Sequence, residues 1–385
     1  MSNFRRFFFA LALGGILLAA SNDALAQRRK SAFQKDDPTS PSKTADPSQP
    51  TQTANSDPTQ PNAQADDENE FAPQDVTLEV KGEGIRLIAT WFPPIVEEEP
   101  KQKKPADPAA AAEEKEPEPW ATTVPFILVH DWTRSRKDLI DMATFLQSKG
   151  HAVLVPDLRG HGGSLRIKDS DTVLDHRSFK KNDQASAVAD IDQCKRFLIE
   201  KNNDKLINID LLNVVAVGDS AHLAIAWAIT DWSWDSVAGV KQGKDVKSLI
   251  LFSPTKTFAG STLKKLTKLP LISGRNRAPL PMLVVWGADS VSDRTCNDFI
   301  KILRKTRPEI SDDEDLAERW KNQNLFHYDA PTAMEGFELA GSPQAKQVWS
   351  FANDFVSQKV TAFSKQFPWA LRGPAAVLKA RKELE

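Results

Sequence analysis

Cysteine is almost absent. The 385 residues hold only Cys194 and Cys296, which excludes a disulfide-built scaffold and a cysteine-rich metal site. Each lies in a helix-like stretch. One bridge between them stays open, and two buried thiols is the favoured reading. Histidines number six and are scattered, so no metal-ligand cluster and no cofactor is implied. An excess of one charge is also missing: 50 Lys and Arg face 52 Asp and Glu, a net charge of −2. That gives no reason to expect nucleic acid as a partner. Tyrosine occurs once, beside ten tryptophans.

What is abundant is proline, 25 residues crowded toward the first third of the chain. The N-terminus has its own pattern. Arg5 and Arg6 precede an apolar run of 14 residues, Phe7 to Ala20, and then Ala24-Leu25-Ala26. That is a signal peptide over residues 1–26, with a run too short to span a bilayer comfortably. The mature chain is then exported, periplasmic or secreted, with no transmembrane span. Residues 27–75 have almost nothing apolar to bury and read as a disordered spacer rich in Pro, Ser, Gln and Asp. A second such piece, acidic and proline-rich, covers 97–119 and interrupts the folded domain as a surface loop.

The folded part spans 76–385. "VTLEV" and "IRLIATWF" around "KGEG" form a hairpin. Strands such as "VPFILVH", "HAVLVPD", "LLNVVAV", "KSLILFSP", "PMLVVWG" and "NLFHYDA" then alternate with helical stretches. This rhythm predicts an α/β fold: a mostly parallel sheet, led by an antiparallel hairpin and covered by helices on both faces. Ligands in such sheets gather beyond the carboxyl ends of the strands. The "DWSWDS" run, Asp231 to Ser236, puts two tryptophans near a helix end, and a core corner is the favoured place for them.

Four strand ends carry the chemistry: "VHDWTRSRKDL", "VPDLRGHGGS", "VAVGDSAHLA" and "VVWGADSVSD". In this order and spacing the chain resembles the α/β-hydrolase family from about Val76 to Gln358, and "DLRGHGGS" is the most specific match. The resemblance implies an α/β-hydrolase fold. The short connection from "LFSP" to "MLVVWG" leaves no room for a large cap domain, and "FSPTKTFAGSTL" is a candidate wall of the site.

In the resembling family a serine on a sharp turn is the nucleophile, and two backbone N–H groups hold the oxyanion. An acid then orients a histidine base. By the match, Ser220 is the nucleophile, and the N–H groups of Trp132 and Ala221 serve the oxyanion. Asp289 is the candidate acid, with Asp293 in reserve. Glu335 stands at the expected histidine position, and His327, inside a strand, is the alternative base. His130 and His161 match structural histidines of the two loops.

The chain departs from the pattern at Asp131, His222, Ser290 and Glu335. Loss of the base alone costs a serine triad on the order of 10⁴ to 10⁶ in rate. The expectation is therefore a weakly active or non-catalytic protein with a degenerate triad. It would bind a small-molecule ester or acyl ligand between walls that include Trp132 and Trp286. The alternative is an active serine hydrolase of esters, amides or thioesters with an unconventional base, so its standing as an enzyme is open.

Overall fold

Runs of Val, Ile and Leu fill the central strands because both faces of the sheet are covered. In β3 (Pro125–Val129), Ile127 and Val129 join one hydrophobic cluster while Phe126 and Leu128 join the other. The computed structural model describes residues 70–95, 118–237, 240–275, 277–307, 309–310 and 315–373. All of them belong to the second of two units, residues 65–385. The segments read from the sequence as signal peptide, spacer and insert fall, up to residue 69 and over 96–117, outside the described residues.

The strands are β1 (Gln74–Glu79), β2 (Ile85–Phe92), β3, β4 (Ala152–Pro156), β5 (Arg166–Ile167) and β6 (Leu212–Val217), followed by β7 (Val246–Phe252), β8 (Thr257–Phe258), β9 (Ser261–Thr262), β10 (Met282–Gly287) and β11 (Leu325–Ala330). The helices are α1 (Pro119–Thr122), α2 (Ile140–Gln147), α3 (Lys181–Ser186), α4 (Val188–Asn203), α5 (Ser220–Ser233) and α6 (Leu263–Leu266), followed by α7 (Pro270–Ser273), α8 (Asp293–Leu303), α9 (Leu316–Asn322), α10 (Phe337–Gly341) and α11 (Lys346–Lys359).

The main sheet runs β1-β2-β4-β3-β6-β7-β10-β11, with β5 on the side of β2. β2 is antiparallel to β1 and β4, and the strands from β4 to β11 are parallel. Residues of α4, α5 and α8 complete one core cluster, and residues of α2, α10 and α11 complete the other. This order and orientation is the α/β-hydrolase fold. Its connections leave β3 toward β4 on one side and arrive at β6 on the other. The carboxyl ends of β3 and β6 therefore flank a switch point, where a crevice forms.

The hairpin begins two residues before the apolar alternation, because Asp75 is held by long-range partners. Its carboxylate accepts from Thr90 and pairs with Arg136 at 2.9 Å. The "DLRGHGGS" stretch folds as scaffold. Asp157 accepts from the Arg136 backbone and guanidinium and from the Gly163 N–H. Arg159 is buried and pairs with Asp190 and Glu83. Cys194 and Cys296 are both buried free thiols. Of the two tryptophans in "DWSWDS", Trp232 is half-buried and donates its N–H to the Val246 carbonyl, while Trp234 is exposed.

Candidate functional site

Gly218 carries the sharp turn between β6 and α5. Its φ is +56°, a conformation that costs an L-residue about 1–2 kcal/mol. A Cβ there would lie 1.7 Å from Asp131 Oδ2. The turn residue has no side chain, and the Asp131 carboxylate fills the space that one would use. Asp131 Oδ1 accepts the Thr133 N–H and hydroxyl, each at 2.9 Å. Its Oδ2 accepts the Asp219 N–H at 3.3 Å. A carboxylate at the N-terminus of α5 is also favoured by the helix dipole. Asp219 itself bonds the Thr255 hydroxyl at 2.6 Å, and burial, with Asp131 nearby, pushes its carboxyl pKa up.

Ser220 is the first residue of α5, two positions beyond the turn. It is fully buried, and its hydroxyl donates to the His130 carbonyl at 2.5 Å. The Ala221 N–H donates to the Gly218 carbonyl at 3.3 Å. His222 is buried. Its Nε2 donates to the Thr255 carbonyl at 2.8 Å, while Nδ1 has no partner among the described residues. Neither nitrogen bonds the Ser220 hydroxyl, and burial lowers the His222 pKa. Ser220→Ala is expected to destabilise the fold by about 1–3 kcal/mol, because a buried carbonyl loses its donor. Urea unfolding measures this, and an unchanged midpoint would show that the bond carries no weight.

The His130 loop is held from below. His130 Nε2 accepts the Leu158 N–H at 3.0 Å, which leaves Nδ1–H to donate to the Asp131 carbonyl at 2.7 Å. His161 places its two nitrogens against the Trp132 and Arg159 carbonyls, at 2.5 and 2.9 Å. Burial nevertheless pushes the His161 pKa down to about 4, helped by His130 and His176. His161 stacks on His176 with centroids 3.9 Å apart. Above them the Trp132 ring is buried against His161, Phe179 and Phe258. Phe258 comes from the "FSPTKTFAGSTL" stretch, which forms the β8–β9 hairpin. Trp286, expected as a second wall, is instead a core residue. It is 1% exposed and donates its N–H to Asp293 at 2.8 Å. The even positions of β10 that face α8 are filled by core packing, so an indole there cannot reach the cleft.

The acid and base loops meet each other. Gly287 is pressed so closely that a Cβ would lie 2.3 Å from the Met334 carbonyl. Glu335 Oε2 accepts the Ser292 N–H at 3.0 Å. Ser290, in the place the resembling family gives to its acid, donates to the Gly287 carbonyl at 2.7 Å and bonds the Ser292 hydroxyl. Asp289 is exposed, and its backbone N–H donates to the Thr332 carbonyl at 3.1 Å. Asp293 opens α8 and serves Trp286 and Asn297. The Gly336 N–H donates to Ser253 Oγ at 2.9 Å, which ties the Glu335 loop to the end of β7. His327 lies within β11, stacked on Trp286 and beside Arg304, and burial lowers its pKa. The structure thus brings Glu335 to Ser292, and Asp131 to Gly218 and Asp219. It places His327 among core partners and Ser220 beneath the His130 loop.

Sequence reasoning passed over Gly218 and the reach of Asp131. A signal was present. Ala216-Val217-Gly218-Asp219-Ser220 is itself small-x-residue-x-small, so the elbow pattern fits in two frames set two residues apart.

No family model matches the chain, and no curated protein matches it. Solved structures resemble its trace at low identity. An acylaminoacyl peptidase from Pyrococcus horikoshii is 13% identical with a TM-score of 0.48, covering 76% of this chain and 42% of that one. Esterase 2 of Thermogutta terrifontis is 15% identical with a TM-score of 0.45, covering 74% and 94%. XC6422 from Xanthomonas campestris, a serine hydrolase without a lid, is 13% identical with a TM-score of 0.43, covering 75% and 95%.

Proposed function

We propose that this is an exported protein of α/β-hydrolase fold that binds a small ligand at its strand ends and does not run triad chemistry. The observation that carries the reading is the side-chain-free turn at Gly218, filled by the Asp131 carboxylate. A serine hydrolase needs an accessible hydroxyl on that turn, a free N–H behind it and an imidazole base. Here the Asp219 N–H already serves a carboxylate, and a second negative charge beside it is opposed by Coulomb repulsion. Ser220 is buried and spends its proton on a backbone carbonyl. Glu335 holds the base position, and a carboxylate is poorly matched to protonate a leaving group at neutral pH.

The rim presents acceptors, Asp131, Asp219 and Glu335. A ligand rich in N–H or O–H donors is therefore favoured over an ester, whose carbonyl would need donors. Export rests on the N-terminal segment: protein recovered outside the cytoplasm is expected to start at Gln27, and a start at Met1 sinks that part.

A fluorophosphonate probe, which reports activated serines, tests the chemistry. The folded protein is expected to stay unlabelled. Stoichiometric labelling that disappears in Ser220→Ala would establish the active-hydrolase alternative instead.

A further inference from the structure

Where β5 pairs with β2, two arginines stand directly opposite each other. Arg86 of β2 is the register partner of Arg166 of β5. Opposed residues of an antiparallel pair point to the same side, and like charges there are destabilising. Both side chains are exposed. The carboxylates placed to neutralise them are committed elsewhere. Glu79, the register partner of Arg86 on β1, pairs with Lys168 at 3.1 Å. Glu83 pairs with Arg159 at 2.6 Å. Among the described residues neither guanidinium of the opposed pair has an ion-pair or hydrogen-bond partner.

A short hairpin brings acidic residues to the same place. It leaves β5 at Ile167, passes Asp169 at a φ of +55°, and returns so that Val173 bridges Arg166. Its backbone is held at three points. The Lys168 N–H donates to the Gly84 carbonyl at 2.8 Å, the Thr172 N–H to Ser170 Oγ at 3.1 Å, and the Leu174 N–H to the Leu165 carbonyl at 2.9 Å. Arginines and hairpin together bound an open pocket of about 500 Å³, lined by Arg86, Arg166, Ile167, Asp169, Ser170 and Asp171. That volume suits a small molecule. Asp169 and Asp171 likewise have no ion-pair partner among the described residues. Two cations on the strand side and two anions on the hairpin side therefore line one cavity without closing on each other.

We propose that this pocket binds a small zwitterion, with its carboxylate between Arg86 and Arg166 and its ammonium group against Asp169 and Asp171. A carboxylate set between the guanidiniums relieves their mutual repulsion, and planar two-point pairing suits it to arginine. A ligand of one sign gains less. A simple anion meets the arginines but is opposed by the aspartates, and a simple amine meets the reverse. The pocket shares no residue with the loops at His130, Gly218, Ser290 and Glu335, so the site stands apart from what the strand-end cleft binds.

Isothermal titration calorimetry of the full chain tests it. The probes are the unbranched ω-amino acids from glycine to aminohexanoate, with butyrate and butylammonium as single-charge controls. At least one amino acid is expected to bind saturably, about fivefold or more tightly than either control, the scale of one exposed ion pair. Arg86→Gln and Arg166→Gln should each weaken that binding by about fivefold and raise the urea midpoint, since each removes the like-charge contact. Joint replacement of Asp169→Asn and Asp171→Asn should bring the amino acid down to the affinity of butyrate. The site is overturned if no amino acid binds, if the controls bind as tightly, or if binding survives both arginine substitutions. Arginine variants that lose stability along with binding would overturn it too, because the pair would then be part of the fold.

Discussion

Gly218→Ala is expected to destabilise the protein by about 2–5 kcal/mol, and Asp131→Gly to relieve most of that loss. Two terms add. An alanine forced to a φ of +56° costs about 1–2 kcal/mol. Crowding a packed site costs about 1–3 kcal/mol more, because the new methyl would lie 1.7 Å from Asp131 Oδ2. Removing the Asp131 side chain clears the second term and leaves the first. The coupling between the two positions should therefore be about 1–3 kcal/mol, the range for directly touching residues. Urea unfolding of the two single variants and the double variant gives the number. Strictly additive costs would mean that Asp131 does not occupy the turn in solution, and the non-catalytic reading would lose its main support.

The second large effect is acid lability beginning below about pH 6.5. Five of the six histidines, His130, His151, His161, His222 and His327, have pKa values lowered chiefly by burial. A lowered histidine pKa means that the unfolded chain binds the proton more readily. Its contribution is intact above the unfolded value and is lost as pH falls through the folded value. For His161 the window runs from 6.5 down to about 4, which is on the order of 3 kcal/mol by itself. Asp190 works in the opposite direction. Burial pushes its pKa up to about 6, so protonation there favours the folded state as pH falls. Asp219, whose pKa burial also raises, acts the same way, and two carboxyls set against five imidazoles do not reverse the sign. Thermal unfolding at pH 7.5 and pH 4.5 should show a clear drop in midpoint. His161→Gln should flatten the pH profile, and an unchanged midpoint at pH 4.5 would refute the account.

Much of the fold was legible in the sequence because its signals are local. Near-continuous apolar strands, turn residues between helical stretches and the "DLRGHGGS" run sit within a few residues of the groups they organise. The strand ends followed from the alternation and their roles from the family resemblance, so the loops at His130, Ser220, Ser290 and Glu335 could be named before any coordinates. Glu335 was legible as a substitution only against the resembling family, which carries a histidine in the loop after the last strand. The walls were less legible. Trp132 and Trp286 read alike as aromatic residues near strand ends. Only packing shows Trp132 beside Phe258 and Trp286 tied to Asp293 in the core.

What the sequence determined by itself was the set of strands, their alternation with helices and the loops that must meet at the carboxyl ends, because periodicity and turn chemistry act over short spans. What only the tertiary structure decided was which residue holds the turn and what fills it. The elbow pattern can be set on "AVGDSAH" in two frames, and a choice between them needs the φ of Gly218 and the position of Asp131, 88 residues from the Asp219 N–H that it accepts. The seat of Arg372 was decided in the same way, since it meets Asp245 across 127 residues. Contacts of that range leave no periodic trace in the chain, because they are chosen by the shape and charge of surfaces that exist only once the sheet has formed.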